Sequence, residues 1–559
     1  MARMVVALAA LALALGCSGT TPGATPALDV AAGDSATKFG DLGKTDGPAD
    51  ATAPADATQP ADTVSDVDGG LEADAPPALT DVVPSADVAP PQEVASALDA
   101  AADDAPASDL AAADVAPQGD TAGPPPPLFD MDLIGNAATA QCTFSNQHMV
   151  VKDGVPLTAW DLTYMSWESI DGVLKPIKIK AFAARPGSAQ ILPGVIAAHG
   201  LGGYADESNA TGPAALLGMF VVAYTGPGGG TDATNTSEGF PASYQNGYRM
   251  FDVLKDTRGS WFWGHAVAAM RGVTCLQQRP DVFQDKLGIT GFSAGGVIST
   301  LVAGHDPRIS AAVPLSGVLA WSKAVEAPKA WQHLLLQKAG LSVTSPEWLK
   351  LQTDLIDPGP ALQGTQAKIF MINGSSDEFF PLTAHLATYN AVPGSDKRTA
   401  IVANFDHGCY ELGLAESKQN VKDRADLYAN GGQRAWFRHW FATDPNYAYF
   451  PAAPVVSVTV QGGLTLVAAQ VDPGGSKLSI DAVRVWGSNN SDLVWANNTL
   501  DCKGGVCSKL LPVALDATAS WYVDVIYKTG GLLPEKFAVS SLPVLAQNLV
   551  PDMLCAPPP

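Results

Sequence analysis

Six short apolar segments, separated by stretches long enough to hold helices, constrain the fold of this chain more than any other feature. Each is apolar on both faces of an extended strand, which is typical of parallel strands covered by helices on both sides. The segments are GVIAAHG, GMFVVAYTGPG, DKLGITG, ISAAVPLSG, AKIFMING and RTAIVANF. They predict an α/β domain with a mostly parallel sheet over residues 129–450.

One connection in this domain is longer than a single crossover helix requires. Residues 318–366 have helix-like apolar spacing and include Trp321, Trp331 and Trp348. Helices that merely pack on the core would account for this spacing. A helical cap over the carboxyl ends of the strands, where open α/β sheets bind ligands, would also account for it. We expect a helical cap insertion at 318–366.

The pattern changes after residue 450. VVSVTVQGGLTLVAAQV, AVRVWGSNN and SWYVDVIYKTGG alternate polar and apolar residues, with turn residues between them and no helical segments. This alternation predicts a β-sandwich over residues 452–550. Trp486, Trp495 and Trp521 are candidates for a surface that binds glycan or protein, although tryptophans in a sandwich more often belong to the core.

Composition separates residues 18–128 from the rest of the chain. This segment carries 20 acidic residues and two lysines and is otherwise rich in Ala, Pro, Thr, Val and Gly. It buries too little apolar surface to offset chain entropy, so we expect a disordered tether. The tether carries most of the formal charge of −23. The remainder is mildly acidic without a basic cluster, which argues against nucleic-acid binding.

The first 17 residues, MARMVVALAALALALGC, combine an early arginine with an apolar run that is too short to span a bilayer. They predict an export signal. Ala-Leu-Gly-Cys resembles the lipobox of bacterial lipoproteins, which implies that Cys17 becomes the lipidated first residue. An ordinary signal peptide with an incidental Cys17 is the alternative. We favour an exported lipoprotein anchored to a membrane, on the outer-membrane, periplasmic or cell-surface side.

Six further cysteines, an even number, are consistent with export. Cys502 and Cys507 in DCKGGVC are close enough in sequence to suggest a disulfide. The pairing of the others stays open: Cys142, Cys275, Cys409 and Cys555. The sequence has no spacing typical of a zinc site and indicates no metal or organic cofactor.

Ser293 lies in GITGFSAGG, between a predicted strand and a predicted helix. A G-x-S-x-G pentapeptide alone is common, but a sharp strand-to-helix turn would expose the serine hydroxyl at the carboxyl edge of the sheet. The turn requires small residues at Gly291 and Gly295. It also directs the free N–H groups of the helix toward developing negative charge. We therefore predict that Ser293 is a nucleophile.

A serine nucleophile needs a base, and the base needs a partner that holds its tautomer. His407 and Asp377 follow Ser293 in the chain, and each comes directly after a predicted strand. The other histidines precede Ser293 or lie in predicted helices or the cap. Glu378 and Asp406 are rivals for the acid, but Asp377 is nearest the strand exit. We predict the triad Ser293, His407 and Asp377.

The oxyanion of an acyl-transfer reaction needs hydrogen-bond donors that are already in place. The backbone N–H of Ala294 follows the nucleophile and is one candidate. The N–H of Leu201 is the second, because it lies in the glycine-rich loop after GVIAAHG. His199, in the same loop, is expected to orient the loop rather than to transfer protons.

Four motifs occur in order along the chain: AAHGLGG, GFSAGG, NGSSDEFFP and FDHG. Together they resemble the α/β-hydrolase superfamily. AVAAMRGVTCLQQRPDVFQDKLGITGFSAGG and HDPRISAAVPLSG are similar to its acetyl xylan esterase and dienelactone hydrolase branch, with related peptidases behind it. The resemblance implies an α/β-hydrolase fold and a serine hydrolase. The chain differs from the best-known acetyl esterases in its long tether and in Leu201, where an aromatic residue often stands.

These observations favour an exported serine hydrolase that cleaves carboxylic esters through an acyl-enzyme. Its substrate would be a small-molecule or polysaccharide ester, and acetyl esters of polysaccharides are one such class. Two alternatives stay open at this point, a serine peptidase of the same fold and a non-catalytic binding protein anchored at the surface. The sequence gives neither the acyl length nor the oligomeric state.

Overall fold

The computed structural model describes most of the chain beyond residue 126. The described ranges are 127–187, 190–240, 249–326, 330–408, 416–488, 494–515, 518–530 and 533–546. The predicted signal peptide with Cys17, and the predicted tether up to residue 126, lie outside the described residues, as do Cys409 and Cys555. Within the described ranges, no helix combines the length and apolar character that crossing a membrane requires.

The strands fall into two groups, one in the α/β domain and one near the C-terminus. The first group is β1 (Thr143–Lys152), β2 (Val155–Ile170), β3 (Val173–Pro186), β4 (Leu192–Ala198), β5 (Phe220–Tyr224), β6 (Val282–Phe292), β7 (Ile309–Leu315), β8 (Lys368–Gly374) and β9 (Lys397–Val402). The second is β10 (Val455–Gln461), β11 (Leu464–Gln470), β12 (Leu478–Ser488), β13 (Ala496–Thr499), β14 (Asp501–Lys503), β15 (Val506–Leu511), β16 (Ser520–Thr529) and β17 (Lys536–Ser540).

In the described ranges, the α-helices precede the second group of strands. They are α1 (Met131–Ile134), α2 (Ala137–Ala140), α3 (Glu207–Leu217), α4 (Trp261–Gln277), α5 (Ala294–His305), α6 (Trp321–Ala324), α7 (Trp331–Lys338), α8 (Pro346–Leu351), α9 (Pro358–Leu362), α10 (Leu382–Ala391), α11 (Lys418–Asp426) and α12 (Gly432–Trp440). Short 3₁₀ turns cover Thr257–Gly259 and Pro445–Tyr447, and π-helical turns cover Gln352–Ile356 and Leu427–Gly431.

The first group of strands forms one sheet in the order β1-β2-β3-β5-β4-β6-β7-β8-β9. The segment from β4 to β9 is parallel, and the hairpin of β2 and β3 joins it antiparallel through β5. Every residue of β4 and β5 is buried, because helices cover both faces. The predicted fold class, an α/β-hydrolase fold with a mostly parallel sheet, is confirmed.

The order of the strands places two connections side by side. The chain runs from β4 to β5 on one side and then returns to β6 on the other, so β4 lies between β5 and β6. In open α/β sheets, ligands bind at the carboxyl ends of strands where the winding direction reverses in this way. The loops after β4 and β6 therefore meet at the point where a site is expected.

The described residues of the segment 318–366 form helices α6 to α9, as their spacing predicts. Their tryptophans point inward, since Trp321, Trp331 and Trp348 are each at most 2% exposed. Two disulfides are present among the described residues, Cys142–Cys275 and Cys502–Cys507. The first joins the segment before β1 to the end of α4, and the second closes the β14–β15 hairpin.

Strands β10 to β17 form two four-stranded antiparallel sheets, with the orders β10-β11-β15-β14 and β13-β12-β16-β17. We call this part, residues 452–546, the β-domain, and residues 129–450 the hydrolase domain. The two share apolar cores, because buried side chains of β12, β16 and β17 cluster with those of α12 and β8. Two of the three tryptophans considered as a binding surface are buried. Trp486 and Trp495 are at most 2% exposed, whereas Trp521 is half-buried.

Candidate active site

Ser293 occupies the turn between β6 and α5 in a backbone conformation that few residues adopt. Its φ is 62° and its ψ is −127°. Such a conformation costs on the order of 1–3 kcal/mol and persists only where the surroundings enforce it. Here the Ser293 N–H donates to the carbonyl of Leu315 in β7. The strained turn directs the half-buried hydroxyl toward the carboxyl edge of the sheet.

The two glycines of the motif make this turn sterically feasible. A Cβ on Gly295 would lie 2.2 Å from the carbonyl oxygen of Ala198 in β4, and a Cβ on Gly291 would lie 2.5 Å from the same atom. Both distances are far below van der Waals contact. The requirement for small residues at 291 and 295, predicted from the motif, therefore has a specific cause in the close approach of β4.

His407 follows β9 and reaches Ser293 directly. Its Nε2 lies 2.9 Å from Oγ of Ser293, and its Nδ1 lies 2.9 Å and 3.1 Å from the two carboxylate oxygens of Asp377. The three side chains predicted from the sequence are thus in contact in the order serine, histidine, acid. The acid in contact with the Nδ1 atom is Asp377 rather than either rival, Glu378 or Asp406.

Asp377 is itself held in place by the backbone. Its Oδ1 accepts the N–H groups of Phe379 at 3.0 Å and Phe380 at 2.9 Å, and the side chain is fully buried. These bonds leave Oδ2 directed at His407. A carboxylate fixed in this way orients the imidazole and selects the tautomer with its proton on Nδ1.

Aromatic side chains fix the plane of the His407 ring. Phe379 stacks on it with ring centroids 4.3 Å apart, and Phe292 stacks with centroids 4.9 Å apart. The ring centroid of Trp331, in the insertion, lies 5.1 Å from that of Phe379, and Nε2 of Gln332 donates a 2.7 Å hydrogen bond to the Phe379 carbonyl. Sequence reasoning missed these contacts. The phenylalanines next to the acid in DEFFP and next to the serine in GFS were the available signal.

The loop after β4 approaches the serine closely. The position of a Cβ on Gly200 would be 3.3 Å from Cβ of Ser293 and 3.8 Å from its Oγ. Leu201, which carries one predicted N–H donor, is the next residue in this loop, and Ala294, which carries the other, is the first residue of α5 and follows Ser293 directly.

His199 supports this loop from behind. Its Nε2 accepts the N–H of Gly226 at 2.8 Å, so its Nδ1 carries the proton and donates to the carbonyl of Gly200 at 2.7 Å. Burial lowers the pKa of His199 to about 4, which keeps the ring neutral. His265, whose pKa burial also lowers, lies 4.7 Å from it between ring centroids. The geometry is that of an orienting residue, as expected from the sequence.

Hydrogen bonds join the loops that carry the acid and the histidine. Ser375 donates its N–H to the carbonyl of Val402, and Ser376 donates its N–H to the carbonyl of Phe405. In the part of the chain that the structure describes, no group of three His, Cys, Asp or Glu side chains has the arrangement of metal ligands. The arrangement brings a serine hydroxyl, an imidazole and a buried carboxylate into contact at one edge of the sheet.

Residues 156–421, just under half of the chain, match the family model described as acetyl xylan esterase. The match identifies the chain as a carboxylic ester hydrolase of the α/β-hydrolase fold, which confirms the enzyme class predicted from the sequence. The match does not extend to the β-domain.

Several solved structures are similar to this chain. Acetyl xylan esterase 1 from Thermoanaerobacterium sp. JW/SL YS485 is 18% identical and covers 54% of this chain and 94% of its own, with a TM-score of 0.40. The acetyl xylan esterase from Paenibacillus sp. R4 is 17% identical, and its match covers 53% of this chain and 92% of the esterase, with a TM-score of 0.41. Pyrococcus horikoshii acylaminoacyl peptidase is 15% identical, and its match covers 49% of this chain and 46% of the peptidase, with a TM-score of 0.33. Among curated proteins, none matches this chain.

Proposed function

We propose that this ester hydrolase is a serine esterase that works through an acyl-enzyme on Ser293. The observation that carries the proposal is the 2.9 Å contact between Nε2 of His407 and Oγ of Ser293, with Asp377 on the other ring nitrogen. Because the Asp377 carboxylate accepts a hydrogen bond from Nδ1–H, Nε2 is the ring nitrogen that can accept the proton of the serine hydroxyl.

In the first half of the reaction, Oγ of Ser293 attacks the carbonyl carbon of the ester and its proton moves to Nε2 of His407. The negative charge on the former carbonyl oxygen is stabilised by the N–H groups of Leu201 and Ala294. The carbon–oxygen bond to the alcohol then breaks, and His407 returns the proton to the departing alkoxide. The acyl group remains bonded to Ser293.

In the second half, water replaces the alcohol. His407 accepts a proton from the attacking water, the same donors stabilise the second oxyanion, and Oγ of Ser293 leaves with the proton. The products are the free carboxylic acid and the regenerated serine. Stacking of Phe292 and Phe379 on His407 keeps the ring in one plane through both proton transfers.

We further propose acetyl esters of polysaccharides as the substrate class, on the strength of the family model that matches residues 156–421. Deacetylation of acetylated xylan, compared with hydrolysis of aryl acetate, propionate and butyrate, tests this. Release of acetate from the polysaccharide, with the aryl acetate preferred among the small esters, supports the proposal. Preference for longer acyl chains without polysaccharide deacetylation contradicts it.

Hydrolysis of aryl acetate by Ser293→Ala tests the catalytic assignment. We expect turnover to fall at least about a thousandfold, because the hydroxyl that contacts Nε2 of His407 is that of Ser293. Ser310→Ala is the matched control, since Ser310 lies at the amino end of β7, opposite the site. Turnover by Ser293→Ala close to that of the control would refute the assignment.

We also propose that the chain is exported and held at a membrane by a lipid on Cys17. The support is the sequence ALGC at the end of the first 17 residues. Incorporation of radiolabelled palmitate in a bacterial host, compared between the native chain and Cys17→Ala, tests this proposal. Label that persists in the variant would contradict it.

A further inference from the structure

The outer edge of strand β9 is covered by the β-domain. The N–H of Ile401 donates to Oγ of Ser540 at 2.9 Å, and the hydroxyl of Tyr522 donates to the carbonyl of Ile401 at 3.1 Å. All three residues are fully buried. Among the described strands β9 is the last of the large sheet, and side chains of the β-domain bond backbone groups on its outer edge.

The contact continues into the loop that carries His407. Asn404 lies three residues before the histidine, and its side chain bonds both backbone groups of Trp495 in the β-domain. Its Oδ1 accepts the Trp495 N–H at 2.7 Å, and its Nδ2 donates to the Trp495 carbonyl at 2.9 Å. Both residues are 2% exposed. A buried two-point contact of this kind fixes position and orientation together.

Asn404 also connects this contact to the acid loop. Its backbone N–H donates to Oγ of Ser375 at 2.8 Å, two residues before Asp377, and its Nδ2 also donates to Glu416 at 2.6 Å. Its φ of 60° is in the left-handed region, which asparagine tolerates better than most residues. Asn404 therefore contacts the β-domain through its side chain and the acid loop through its backbone N–H.

The aromatic residues of the β-domain face the same loop. Trp486, Trp495 and Tyr522 form one buried cluster with Leu382, Ile401 and Ala403 of the hydrolase domain. Arg424 lies over the Trp486 ring at 4.7 Å and donates to the carbonyl of Ala403 at 2.8 Å. A glycan platform needs exposed rings, so these buried tryptophans serve the interface between the two domains instead.

We propose that the β-domain positions the catalytic histidine, and that Asn404, held on the Trp495 backbone, is the positioning residue. The inference rests on the proposed function, in which His407 carries the proton to and from Ser293. Proton transfer requires the histidine within hydrogen-bond reach of the serine, and small displacements of a catalytic group reduce the rate strongly. The β-domain is thereby part of the catalytic apparatus rather than an appended binding module.

Asn404→Gly in the full chain tests this role, because glycine keeps the positive φ and removes both contacts to Trp495, together with the bond to Glu416. Tyr522→Phe leaves the Glu416 bond in place and so separates the two effects. We expect kcat for aryl acetate to fall about ten- to a hundredfold while KM stays within about twofold. Tyr522→Phe removes only the hydroxyl on the Ile401 carbonyl. For this variant we expect a drop in kcat of about two- to fivefold, again without a change in KM.

Glu535→Gln is the matched control. Glu535 precedes β17, pairs with Arg434 and Arg438 of α12 across the same interface, and lies at the opposite end of this strand from Ser540. The substitution weakens the ion pairs between the domains and leaves the contacts of the histidine loop unchanged. We expect a lower melting temperature for this variant and a kcat equal to that of the native chain.

The outcomes separate the two proposals. Loss of kcat in Asn404→Gly and Tyr522→Phe, with none in the control, supports the positioning role. Native kcat in both variants overturns it and leaves the β-domain a purely stabilising role. If Asn404→Gly does not fold, the kcat of Tyr522→Phe decides by the same criterion. Unchanged turnover in Ser293→Ala overturns the proposed function itself, and the positioning role with it.

Discussion

Nδ1 of His407 lies 2.9 Å from Oδ2 of Asp377, in a carboxylate whose other oxygen is occupied by two backbone N–H groups. Asp377→Asn keeps the shape and an oxygen for those N–H groups, but its amide would face Nδ1 of the histidine. The ring would then carry its proton on Nε2 and could not accept the serine proton. We expect kcat for aryl acetate to fall by about 10³–10⁴.

The surface residue Asp396 provides the control for this substitution. It pairs with Lys368 away from the triad, and Asp396→Asn should leave kcat unchanged. Equal kcat values in Asp377→Asn and Asp396→Asn would show that the carboxylate at 377 does not orient the base.

Gly295→Ala should damage stability and activity together. Its Cβ would lie 2.2 Å from the carbonyl of Ala198, so β4 and the first turn of α5 must separate, and Ser293 moves with that turn. We expect a loss of about 2 kcal/mol or more in the free energy of unfolding. Chemical denaturation measures it. Gly364→Ala, where the added Cβ has no atom within 4 Å, should change stability by less than about 1 kcal/mol.

His385 should make the fold sensitive to acid. It is fully buried in α10, its Nε2 contacts Thr399 Oγ1 at 2.8 Å, and burial lowers its pKa from 6.5 to about 3. Between pH 3 and pH 6.5 the unfolded chain binds a proton at His385 and the folded chain does not. The contribution of this group to the free energy of unfolding is therefore fully present above pH 6.5 and falls as the pH decreases. From pH 6.5 to pH 4 the loss from this group is about 3 kcal/mol.

Denaturation of the native chain and of His385→Gln at both pH values measures this loss. The variant has no titrating group at 385, so its stability should fall about 3 kcal/mol less than that of the native chain. Parallel losses in the two proteins would exclude a contribution from His385.

The two disulfides should contribute unequally to stability. Cys142–Cys275 spans 133 residues of sequence and Cys502–Cys507 spans five, so the first restricts the unfolded chain more. Replacing each pair by alanine should cost about 5 kcal/mol for the first and about 2 kcal/mol for the second, by loop-closure entropy. Equal losses by denaturation would contradict this order. Neither pair contacts the triad, so kcat should be retained in both.

Local pattern was sufficient to predict the central sheet and to group the three candidate site residues, which the structure brings into contact. Strands β4 to β9 are apolar on both faces, and each site residue follows directly on one of them. Parallel strands bring their carboxyl ends to the same edge, so Ser293, Asp377 and His407 could be grouped from their positions in the chain alone. Glycines at 291 and 295 identified the sharp turn.

Contacts between distant segments could not be predicted in this way. The alternating pattern around Trp486 and Trp495 is the same whether the rings face a glycan, the sandwich core or another domain. The bond of Asn404 to Trp495 joins residues 91 apart in sequence, and no local signal marks it. The partner of Cys142 was likewise invisible, because disulfide connectivity depends on the fold.

The most direct test of the central claim is covalent labelling of the purified protein with a fluorophosphonate, read by intact mass and by sequencing the labelled peptide. We predict one label per chain, on Ser293, and little or no labelling of His407→Ala under the same conditions. A folded native chain that takes no label, or a label on another serine, would contradict the claim that Ser293 is the nucleophile.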